Sequence, residues 1–121
     1  MNDLDKDIYE WFAENLDAQL YYATIPSDES FDAPVISFIR LPSLMEQISG
    51  TSNAQYQFSV RCRDLDEAER VKEEIIQLIH QKGRTSFSSG VWFFGSEVGT
   101  LVEDEGRIFH CPVILNLKYV R

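Results

Sequence analysis

Histidine, cysteine and carboxylate are the side chains in this sequence that bear on chemistry. Two histidines, His80 and His110, and two cysteines, Cys62 and Cys111, accompany 20 acidic residues. A metal site or a nucleophile–base pair needs several such groups to converge in a concave site. Compact signals of that kind, HExxH or CxxC, are absent from the sequence. Residues 84–90 also lack the GxxxxGK[ST] order that cradles phosphate, and read as a Ser-rich connector. His80 falls at the end of an amphipathic helix, where interaction with the terminal carbonyls is sufficient explanation. Both cysteines fall on the apolar faces of predicted strands and read as buried thiols rather than as a disulfide framework. The expectation is no catalytic residue, no metal and no cofactor; a small enzyme using His80 and Cys62 is the competing class.

The elements that would position these groups are clearest over residues 54–82. Ala54, Tyr56, Phe58, Val60 and Cys62 alternate with Gln55, Gln57, Ser59, Arg61 and Arg63, the period of a strand with one buried face. Leu65, Ala68, Val71, Ile75, Leu78 and Ile79 then recur at helical spacing, with charges mostly on the other side. Asp64 is placed to cap this helix, Glu67 to reach back to it, and Gly83 to end it. Arg61 and Arg63 either pair with acidic side chains or lie on a simple exposed polar face.

The net charge of −9 is unevenly distributed. Up to Asp32 there are nine acidic residues and one lysine, leaving a net of only −1 for the rest of the chain. An acidic first quarter without a compensating basic stripe argues against tight nucleic-acid binding, and is compatible with DNA passing a surface that does not hold it. The apolar stripe Leu4, Ile8, Trp11, Phe12, Leu16 and Leu20 predicts a first helix over 4–20. Its acidic residues have two readings: a solvated, well-capped helix face, or a surface turned to a partner or a lumen. Asp5, Glu10, Glu14, Asp28 and Glu29 are the candidates for such a surface.

Residues 21–25 predict a short strand stopped by Pro26, and 34–41 a strand with both faces partly apolar. Over 42–53 the isolated apolar residues Leu44, Met45 and Ile48 suit an extended arm or loop reaching a neighbour, a loop folded onto its own core, or a short helix. Val91, Trp92, Phe93 and Phe94 are four successive apolar residues in a strand, which requires burial on both sides. Trp92 and Phe94, with Leu44, Met45 and Ile48, are the candidate subunit-interface residues. Glu103 to Gly106 predict a turn, and 107–120 a long strand in which Pro112 calls for an edge position or a bulge.

These segments describe one domain over 1–121, of α+β class, in which two helices pack on a curved, mostly antiparallel sheet in the order α-β-β-β-α-β-β. No run of about 20 apolar residues suggests a membrane span, and the N-terminus lacks the regions of a signal peptide, so a cytosolic site of synthesis is expected. The acidic first helix, the strand AQYQFSVRCR at 54–63, the helix DLDEAERVKEEIIQLI at 64–79 and the ending EDEGRIFHCPVILNLKYV at 103–120 resemble, in order and texture, the tail terminator and head-tail completion proteins of long-tailed bacteriophages, including prophage minor capsid proteins. That resemblance implies a structural virion protein that closes into a hexameric ring at the end of the tail tube, contacts tube and head-tail connector proteins, and resides at the head-tail junction after assembly in the host cytoplasm. A non-catalytic interaction module of another kind is the alternative.

Overall fold

Strand and helix meet at Asp64 as their periodicities require. The computed structural model describes residues 3–42, 52–82, 91–98, 102–104 and 107–119. Strand β3, Ser52–Cys62, turns directly into helix α2, Leu65–Lys82. Asp64 Oδ1 accepts from the backbone N–H groups of Asp66 at 2.9 Å and Glu67 at 3.3 Å, satisfying donors that the helix itself leaves orphaned. The reciprocal half of the expected capping box is replaced. Glu67 instead accepts from Arg70 at 2.8 Å, and the Asp64 amide donates to Cys62 Sγ at 3.5 Å.

Among the described residues the order is α1 (Asp3–Asn15), β1 (Gln19–Tyr22), β2 (Val35–Leu41), β3, α2, β4 (Val91–Val98), β5 (Val102–Asp104) and β6 (Ile108–Tyr119). The strands form one sheet in the order β1-β2-β3-β6-β4, with β5 also paired to β6. The β1–β2 pair is parallel and every other pair antiparallel. The protein is thus an α+β fold of two helices on a mixed, mostly antiparallel sheet. It carries one strand more than the sequence pattern suggests, because Glu103 and Asp104, expected in a turn, pair with Phe109 and Ile108.

Helix α1 ends at Asn15, well short of the expected residue 20. Leu16 makes the last helical bond, to the Phe12 carbonyl at 2.9 Å, and the Asn15 side chain folds back on the Trp11 carbonyl at 2.7 Å. Leu20 is buried as the apolar stripe requires, but from β1, which begins two residues earlier than the pattern suggests. Ala23, at φ 65°, turns the chain out of β1. Joining parallel neighbours requires a crossover of about a dozen residues. Here residues 23–34 supply it, held by the Arg63 amide on the Phe31 carbonyl at 2.9 Å and by Arg63 Nε on the Ser30 carbonyl at 2.8 Å.

Both helices pack on the sheet face that carries Ile36 and Phe38 of β2, Tyr56, Phe58 and Val60 of β3, and Val113, Leu115 and Leu117 of β6. Helix α1 contributes Leu4, Ile8 and Phe12; α2 contributes Ala68, Val71, Ile75 and Ile79. Phe58 is the aromatic hinge of this layer, with ring centroids 4.6 Å from Phe12 and 5.0 Å from the stacked Phe38. The alternation read in β3 is reproduced on its apolar face, where the even-numbered residues from Ala54 to Cys62 are buried; on the other face Gln55 is exposed, Gln57 and Arg61 are half-buried and Ser59 is buried.

Pro112 does not occupy an edge strand. Strand β6 is interior, paired with β3 along its length and, on its other side, with β4 over 113–119 and β5 over 108–110. Pro112 lies between the segments of β6 paired to β4 and to β5, across which the register moves by one residue, from Val98↔Val113 to Val102↔His110. A residue without an N–H is tolerated at such a change of register.

Candidate functional site

The charged group most deeply placed among the described residues is Asp5, in the first turn of α1 and only 3% exposed. Its carboxylate accepts a hydrogen bond from the Tyr22 hydroxyl at 2.8 Å and another, through its second oxygen, from the Tyr56 hydroxyl. A buried ionised carboxylate is tolerated only when its oxygens are paired. Arg40, in register with Tyr56, brings a positive charge to the same end of the sheet. Its Nη2 donates to the Tyr119 hydroxyl at 2.9 Å, and the guanidinium lies 5.6 Å from the Tyr119 ring centroid. Residues from α1, β1, β2, β3 and β6 therefore meet in one polar network at the edge of the core.

This placement corrects the assignment of Asp5 to a partner-facing or lumen-facing surface. Asp5 flanks the apolar stripe one residue after Leu4 and is drawn inward by two tyrosines. The other acidic candidates stand differently. Glu10 and Glu14 are exposed on the outer side of α1, Asp28 is exposed on the 23–34 crossover, and Glu29 is half-buried there. Sequence reasoning did not single out Tyr22, Tyr56, Arg40 and Tyr119. Tyr56 carried a usable signal: a tyrosine on a fully apolar strand face needs an acceptor for its hydroxyl.

Burial raises the Tyr56 hydroxyl pKa above its ordinary 10.0, assisted by its hydrogen bond to Asp5 and by the Asp5 charge. For Tyr22 the hydrogen bond to Asp5 is the leading cause of a shift in the same direction. The folded state therefore keeps protons that the unfolded chain releases, so this contribution is complete below the unfolded value of 10.0 and is lost as pH rises beyond it. Chemical denaturation of the wild type across the alkaline range should show stability falling above that pH, and Tyr56→Phe should fall less steeply. Equal slopes would show that Tyr56 is not the alkali-sensitive group.

The network has little to offer a substrate, since both carboxylate oxygens are already engaged by protein hydroxyls. Cys62 and His80 do not form a nucleophile–base pair. Cys62 is fully buried beside the start of α2, while His80 is exposed in its last turns, and a helix rise of about 1.5 Å per residue puts the two on the order of 20 Å apart. Burial also pushes the Cys111 thiol up, away from thiolate character. Among the described residues no group of three His, Cys, Asp or Glu side chains is placed to hold a metal ion. A surface recess between the end of α1 and α2 is lined by Asn15, Asp17, Glu74, Gln77 and Leu78.

The sheet face opposite the helices has a different texture. Gln55 Nε2 donates to Asn116 Oδ1 at 2.8 Å, Gln57 Nε2 to Ser59 Oγ at 3.3 Å and Arg61 Nη1 to Ser37 Oγ at 3.3 Å. Arg63, just past the end of β3, lies 3.7 Å from Asp32. Ile39 projects from this face at 46% exposure, the one exposed large hydrophobic side chain among those described. Of the expected interface residues, Leu44, Met45 and Ile48 lie outside the described residues. The backbone of Trp92 is registered opposite Lys118, and Phe94 falls at a register shift between Phe93 and Gly95.

No protein-family model matches the chain, and no curated protein matches it. Fold and site together define a class: an α+β domain with both helices on one sheet face and a buried Asp–Tyr network tying the first helix to the sheet.

Proposed function

We propose that the protein is a structural virion component of a long-tailed bacteriophage, which assembles as a ring at the end of the tail tube, terminates tail polymerisation and joins tail to head. The observation that carries this reading is the unlike character of the two sides of the sheet. The helix side presents carboxylates, Glu10 and Glu14 of α1 and Glu69 and Glu73 of α2, while the described part of the opposite side presents the amides Gln55, Gln57 and Asn116, the cations Arg61 and Lys118, and Ile39. A repeating head-to-tail assembly needs two different surfaces on one subunit, and a closing rotation turns such contacts into a ring rather than a filament. Acidic outer groups also suit passage of DNA past the ring without retention. Tail tube protein and head-tail connector proteins are the partners in this reading, and the work is positional rather than bond-making.

Six is the copy number that the family resemblance implies. Native mass spectrometry of the purified protein, alone and on assembled tail tubes, tests it. Monomers in dilute solution and six copies bound per tube end are the expected result, because a tube end templates the ring. Monomers that persist on assembled tubes would contradict ring closure.

A further inference from the structure

We draw no further inference here: the strongest candidate, the sheet face opposite the two helices, where Ile39 stands among Gln55, Gln57 and Asn116, carries nothing because no feature of the described residues shows what covers it.

Discussion

Asp5→Ala is expected to lower the stability of the domain by about 2–4 kcal/mol, chiefly by leaving two tyrosine hydroxyls without their acceptor. The gain from no longer burying a carboxylate offsets part of the loss, which keeps the figure below the sum of two charge-assisted hydrogen bonds. Asp5→Asn retains one carbonyl acceptor of the same shape and should fall between wild type and Asp5→Ala. Chemical denaturation of Asp5→Ala, Tyr56→Phe and the double variant forms a cycle that isolates the pair. A coupling of about 1 kcal/mol or more is expected for groups in direct contact. Additive losses would mean that the two side chains do not act together. Glu14→Ala, an exposed carboxylate on the same helix, should change stability by less than about 0.5 kcal/mol.

Ile75→Ala should cost about 2–4 kcal/mol, through the transfer energy of the deleted groups and a cavity that the surrounding core fills only in part. Ile75 is fully buried in the middle of α2, one turn from Val71, and packs with the single core that both helices share. Glu73, two residues earlier, is exposed, and Glu73→Ala should stay within about 0.5 kcal/mol of the wild type. Denaturation midpoints at constant slope measure both. Comparable losses would put the wrong face of α2 against the sheet.

What the sequence made legible follows from the strength of its periodicity. In β3 and α2 the apolar pattern switches cleanly from two to between three and four, and the junction residue is a good cap, so strand, helix and buried face were all readable. The α+β class follows from that unit repeated with a second helix and a long C-terminal strand. The end of α1 was not readable in the same way. Leu4, Ile8, Phe12, Leu16 and Leu20 continue a helical spacing across a real helix end, and Leu20 satisfies the same core from a strand. Parallel pairing of β1 with β2 was hidden because parallel and antiparallel partners impose the same alternation on a short strand.

Polar placement was harder still. Helical spacing does set Asp5 apart from Asp3 and Asp7, since it stands three residues before Ile8 and seven before Phe12, but the partners that hold it inward, Tyr22 and Tyr56, are distant in sequence and meet it only in the folded chain. The charge count therefore located the acidic quarter correctly while assigning one of its members to the wrong side of the helix. Pro112 shows the converse. The missing N–H correctly signalled an irregular ladder, but the irregularity belongs to the neighbouring strands and leaves β6 in the sheet interior.

The most direct test of the proposed role is electron microscopy of particles made by a phage from which this protein has been deleted, with immunogold localisation of the protein in intact virions. The reading predicts label at the head-tail junction and, in the deletion, DNA-filled heads beside unattached tails or tails of abnormal length. Free tails of normal length would indicate a joining role, and overlong tails a terminating one. Normal infectious virions in its absence, or label elsewhere on the particle, would contradict the account.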